Sequence, residues 1–162
     1  MSNMYAKRCG RGVSVLEVVI GVSIAGVLLT FAMSAVALFI NSARDVTVRT
    51  QALYLAEEGL ELVRFMRDDS WATFSGIPQN TTRYLDITST DVLPTTSTET
   101  IGEFTRSFTV SNVYRNTTTD DIVASTTGGS AVDTSSKYVT MTVAWGSSDT
   151  VSLTTILAHI EP

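Results

Sequence analysis

At 162 residues the chain has room for one domain of ordinary size, and 11 basic against 16 acidic residues give a formal net charge of −5. Three of the bases, Lys7, Arg8 and Arg11, precede the first acid, Glu17, so without residues 1–12 the formal charge is −8. That balance argues against a nucleic-acid partner, which needs clustered Lys and Arg, and the single cysteine, Cys9, excludes an intramolecular disulfide or a thiolate metal site.

The first element is a basic leader, residues 1–12. Cys9 is poorly placed as a lipid acceptor, because Tyr5-Ala6-Lys7-Arg8 stands where a small-residue apolar stretch would be needed. Residues 13–40, VSVLEVVIGVSIAGVLLTFAMSAVALFI, then carry one charge, Glu17, in 28 positions. As a helix they would be about 42 Å long, against about 30 Å for a hydrocarbon core. The run is too long for the core of a secretory signal, and its small polar residues are scattered. It reads as a transmembrane helix with the basic end held in the cytoplasm.

Residues 41–69 should continue that helix, since they contain no proline and one glycine, Gly59. Val46, Leu53, Leu60, Ala56 and Val63 recur at helical spacing, with Tyr54, Leu62 and Met66 widening the stripe. Glu61 and Arg64, three apart, are placed to pair on the surface. Asp68-Asp69-Ser70 breaks the pattern. One helix from Val13 to Arg67 would be about 80 Å long, and its second, amphipathic half should lie against a domain.

Residues 70–162 supply a β-rich head, making the expected class α+β. Residues 138–145 (YVTMTVAW) alternate strictly and are followed by a turn at 146–149 and a second strand at 150–156, a hairpin pattern. A third strand is expected over 104–115, with Phe104, Phe108, Val110 and Tyr114 in phase, and a weaker one over 83–88. The polar stretches 95–100 and 116–136 read as surface loops.

The junction Lys7-Arg8-Cys9-Gly10-Arg11-Gly12 | Val13-Ser14-Val15-Leu16-Glu17 carries the functional signal. A basic leader ending in glycine, an apolar residue, and glutamate fifth in the remaining chain resemble the cleavage signal of type IV pilins and type II secretion pseudopilins. The resemblance implies cleavage between Gly12 and Val13 by an aspartyl prepilin peptidase, and methylation of the Val13 amine. It also implies that Glu17 pairs with the N-terminal amine of a neighbouring subunit. Each part has a physical reason. The leader charges Lys7, Arg8 and Arg11 keep the cut site at the cytoplasmic face, Gly12 lets the backbone enter a narrow cleft, and a carboxylate in an apolar span is costly enough to suggest a function. The plainer reading of Glu17 is a residue snorkelling at the edge of a signal anchor.

Residues 52–71, ALYLAEEGLELVRFMRDDSW, are similar to the post-membrane helix of PilV-type minor pilins and I-type pseudopilins. Two departures from major pilins point the same way: Ser34 stands near the place of their mid-membrane proline, and the C-terminal cysteine pair is missing. Gly21 and Gly26 are weaker points of distortion. Glu57, Glu58 and Glu61 read as a solvated helix face rather than catalytic carboxylates. His159 has no second ligand in sight, Asp120, Asp121 and Asp133 match no calcium loop, and Asn80 and Asn116 are glycosylation sequons by pattern only. No catalytic set, metal site or cofactor motif is expected. The expectation is a non-enzymatic filament subunit, resident in the inner membrane as a single-pass protein before assembly and in an extracellular or periplasmic filament after it. Its partners would be other pilin subunits, the prepilin peptidase, and an inner-membrane assembly platform with its ATPase. The alternative is a signal-anchored protein whose β-domain is an extracytoplasmic binding module.

Overall fold

The computed structural model describes residues 14–88 and 90–160. Helix α1 (Val15–Asp69) is followed by a short α2 (Trp71–Ser75) and seven strands: β1 (Tyr84–Ile87), β2 (Val92–Thr95), β3 (Glu99–Ile101), β4 (Phe104–Asn116), β5 (Ile122–Val123), β6 (Ser130–Trp145) and β7 (Asp149–Ala158). The class is α+β. The described residues fall into two compact units, 14–46 and 47–160. The first is helical throughout from Val15.

The second unit is the head. Its main sheet is antiparallel, in the order β3-β4-β6-β7, with β5 pairing on β4, while β1 and β2 form a separate two-stranded ribbon. The sheet's inner face meets the helix through Ala52, Ala56, Leu60, Val63 and Met66, which form one core with Phe104, Phe108, Val110, Val139, Met141, Val143 and Leu157. Full burial of each large aliphatic or aromatic side chain contributes about 1.5–3 kcal/mol.

The buried helix face matches the expected stripe in part: Ala56, Leu60, Val63 and Met66 are buried, whereas Val46, Leu53 and Tyr54 are not. Positions 52, 56, 59, 63 and 66 advance by alternating fours and threes, which keeps them on one side of a 3.6-residue helix. Leu53 and Tyr54 lie off that line and are 38% and 66% exposed, and Val46 is 63% exposed. Small residues matter more here than the large ones the eye selects. A Cβ on Gly59 would stand 2.8 Å from Met141 Cε and Sδ and 2.9 Å from Arg106 Cδ.

That close approach admits a buried charge. Arg106 on β4 is 0% exposed and points inward in phase with Phe104 and Phe108. Its cross-strand partner on β3 is Glu99. Arg106 donates from Nε to Glu99 Oε2 (3.1 Å), from Nη2 to Glu99 Oε1 (2.5 Å) and from Nη1 to the helix carbonyl of Leu55 (3.2 Å), with Glu58 Oε1 at 3.4 Å. Burial works against the charged form, but the hydrogen bonds and charges of Glu99 and Glu58 outweigh it and hold the guanidinium above its ordinary value.

Several expected boundaries move. The 104–115 strand and the hairpin are present, but Tyr114 is out of phase: Val113 is buried instead. The cause is a β-bulge. Register shifts between Asn112, opposite Lys137, and Val113, opposite Asp133, re-aiming the following side chains. Asn112 Oδ1 pins it by accepting from Gln79 Nε2 (2.6 Å) and Lys137 Nζ (2.8 Å). The hairpin loop is three residues rather than four, because Trp145 pairs with Asp149 and Gly146 takes φ 59°. Much of the stretch expected as loop over 116–136 is strand, with β5 inside it and β6 starting at Ser130; within 95–100, Thr95 ends β2 and β3 begins at Glu99. β2 was not legible because Pro94 interrupts it, which a two-stranded ribbon tolerates at its edge. Ser70 does break the helix, and then caps α2 by accepting from Thr73 N (3.3 Å).

Candidate functional site

The candidate site is the apolar part of α1. From Val15 to Ile40 the large apolar side chains are exposed, among them Leu16, Ile24, Leu29, Phe31 and Phe39. Only Glu17 and a few small residues interrupt them, so apolar surface faces every side of the helix. A helix hydrophobic all round belongs in a protein core or in lipid, and none of this apolar stretch is buried among the described residues. By length and composition it can cross a membrane.

Its scattered hydroxyls do not oppose that environment. Ser23 Oγ donates to the Val19 carbonyl (2.8 Å), Thr30 Oγ1 to Val27 O (2.7 Å) and Ser34 Oγ to Thr30 O (2.9 Å). Each hydroxyl proton is satisfied within the helix, which removes the cost of leaving it unpaired in hydrocarbon. Gly21 and Gly26 have nothing within 4 Å of a built Cβ, leaving open notches on the surface.

Glu17 stands in the first turn of α1 and is exposed. The helix dipole favours a carboxylate there, because the first N–H groups lack intrahelical partners. Among the described residues Glu17 has no salt bridge, so its charge is available to a group outside them. The leader charges Lys7, Arg8 and Arg11, the cleavage pair Gly12 and Val13, and Cys9 lie outside the described residues.

Other sequence candidates are placed as follows. Glu61 pairs with Arg64 across one helical turn, as expected, and Glu58 faces Arg106. His159 follows β7; its N–H donates to Ser135 O (2.8 Å), and its ring lies 5.0 Å from Trp71. Together with Arg67, Asp68 and Ile160 these rings line an open cleft of about 450 Å³. Asn116 Oδ1 accepts from the N–H groups of Thr118 (2.8 Å) and Thr119 (3.2 Å), closing a turn.

Asp133 does not share a loop with Asp120 and Asp121: it is on β6, where Arg115 Nε donates to its carboxylate (2.7 Å). Arg115 Nη1 also donates to the Asp120 carbonyl (2.9 Å). Among the described residues no group of three His, Cys, Asp or Glu side chains could hold a metal ion. The hydrogen bond from Arg115 is the main reason the Asp133 carboxyl sits below its ordinary value; partial burial opposes it, and the N–H of Ser135 adds to it. A carboxyl depressed by folding stabilises the folded state above the unfolded value, about 3.9, and that contribution disappears as pH falls through the folded value. Asp133→Asn should therefore lower the urea midpoint at neutral pH, and the gap from wild type should close below about pH 4. A gap constant from pH 7 to pH 2 would contradict the assignment.

Three residues were given no functional or structural role in the sequence: Arg106, Gly59 and Arg83. For Arg106 the signal was parity, since position 106 is even in a strand whose inward residues are 104, 108 and 110. No protein-family model matches the chain, and no curated protein or solved structure matches it.

Proposed function

We propose that the chain is a minor pilin or pseudopilin: a subunit cut from its basic leader and polymerised through its N-terminal helix into a type IV pilus or type II secretion-like filament. The observation that carries this reading is the exposed apolar segment from Val15 to Ile40, with one carboxylate, Glu17, in its first turn. A simple anchor needs the apolar length but has no use for an acid at a fixed place in it. A helix that leaves lipid for a bundle of identical helices needs both, the apolar surface for lateral packing and a charge to set the axial register.

Two further features support it. Gly12 before Val13 places a residue without a side chain at the cut site, and Val13 makes Glu17 the fifth residue of the mature chain. In the head, the amphipathic half of α1 is tied to the sheet by the core and by Arg106, so a pull on the helix is carried by the folded head. The head would form the outer surface or tip, and the partners would be other pilin subunits, a prepilin peptidase and the assembly platform with its ATPase. The subunit would reside in the inner membrane with its N-terminus in the cytoplasm until it is assembled. No catalytic activity is assigned to it.

Mass spectrometry of the mature N-terminus tests the reading. A chain beginning at methylated Val13 is expected, and Gly12→Leu should leave an uncut precursor about 12 residues longer, because its side chain obstructs the cleft. An intact leader on the wild-type protein would instead favour a signal-anchored binding module.

A further inference from the structure

Arg83 immediately precedes β1, and its backbone is held by two bonds to β4: its N–H donates to Phe108 O, and the Phe108 N–H donates to its carbonyl, both at 2.8 Å. The root of the side chain is therefore fixed. Its Nε is screened from solvent and has no hydrogen-bond partner among the described residues. Nor does the guanidinium form a salt bridge among them, whereas Arg64, Arg67, Arg106 and Arg115 each hold a carboxylate.

Buried donors are nearly always satisfied, and an orphan one calls for an explanation such as a ligand, an ion or water. Here a cavity adjoins the unpaired side chain. It has a volume of about 240 Å³ and is lined by Thr73, Gly76, Ile77, Pro78, Arg83 and Pro94. Among the described residues Arg83 is the sole charged one of that lining, and Ile77 and the two prolines make the rest mostly apolar. Liquid water occupies about 30 Å³ per molecule, so the space takes a small group rather than a drug-sized ligand.

From this we infer that the pocket receives a single carboxylate on a short apolar stem. Nε itself is out of a ligand's reach, so the carboxylate would meet the planar guanidinium end-on, through one N–H of each Nη, and would supply the counter-charge that the screened Nε lacks; one cation balances one negative charge. A phosphate dianion would bring a second negative charge that no other cation among the described lining residues balances. The stem would lie against Ile77, Pro78 and Pro94. This reading does not rest on the filament proposal, since every lining residue belongs to the head. Two sources share the chemistry: a free small carboxylate, and an Asp or Glu side chain of a second copy of this acidic chain.

The test is NMR of the full-length chain in detergent micelles, following the Arg83 Nε–Hε signal. Propionate should shift it saturably and the neutral isostere propionamide should not. Arg83→Lys, which keeps the charge but loses the planar fork, and Arg83→Gln should each weaken propionate binding at least tenfold while the backbone spectrum of the head is preserved. A dilution series without propionate assigns the source: movement of the same signal on dilution identifies a second copy, and movement with propionate alone identifies a free ligand. A signal that neither propionate nor dilution moves means the pocket holds only water and overturns the inference. So does an equal response to propionamide, or tighter binding of inorganic phosphate.

Discussion

Replacing Glu17 with alanine is expected to leave insertion and leader cleavage intact but to remove the mature subunit from sheared filaments. The substitution deletes the one charge between Val13 and Ile40, so entry into lipid should be unchanged or slightly easier. The leader bases and Gly12 are untouched, so the peptidase should still cut. The loss comes afterwards. A carboxylate and an N-terminal amine 4 Å apart attract by about 4 kcal/mol at an effective dielectric of 20, and the unpaired alternative in an apolar bundle is worse. In the proposed filament that term would favour one axial stagger of the helices over its neighbours, and its loss would leave lateral packing alone to set the register. Fractionation should place Glu17→Ala in the inner membrane, with a milder defect for a subunit at the filament tip, which has no neighbour above it. Normal incorporation into the shaft would remove the ion pair from the mechanism, and a cleavage defect would assign Glu17 to peptidase recognition.

Arg106→Met should destabilise the head by about 3 kcal/mol, the scale for removing one partner of a buried ion pair. Methionine nearly fills the stem's volume, so the cost is not chiefly a cavity. It comes from what is left behind: Glu99, whose side chain is 12% exposed, loses both bonds of its fork, and the Leu55 carbonyl loses a donor. Glu58 is exposed and should contribute little. The double change Arg106→Met with Glu99→Met removes both charges together and should recover much of the loss, because no unpaired carboxylate then remains. Urea titrations of the full chain in micelles, followed by the near-ultraviolet signal of Trp71 and Trp145, measure both. A double variant as unstable as the single one would show that the guanidinium is needed for its reach to the helix, not for its charge.

Arg106 also shows where reading the chain stops. The apolar run with its one acid, the basic residues before it, the long helix and the alternation in 138–145 were all determined by the sequence, because each depends on neighbours within a few positions. Helical periodicity, strand parity and the cost of charge in lipid are local, one-dimensional rules. Which face of residues 47–69 would be buried was not settled that way. Ala56, Leu60, Val63 and Met66 of the expected stripe are buried, but Leu53 and Tyr54 are left outside the core while Ala52 and Gly59 enter it, and at Gly59 the missing side chain is what lets Met141 and Arg106 come close. The bulge that turns Tyr114 out of phase depends on Lys137 and Gln79 meeting at Asn112, and the polar start of β6 exists because β4 offers it a ladder. The unpaired Nε of Arg83 becomes visible only once β4 fixes its backbone and the segment after α2 walls its cavity. These features belong to pairs of residues far apart in the chain, and only the folded head brings them into contact.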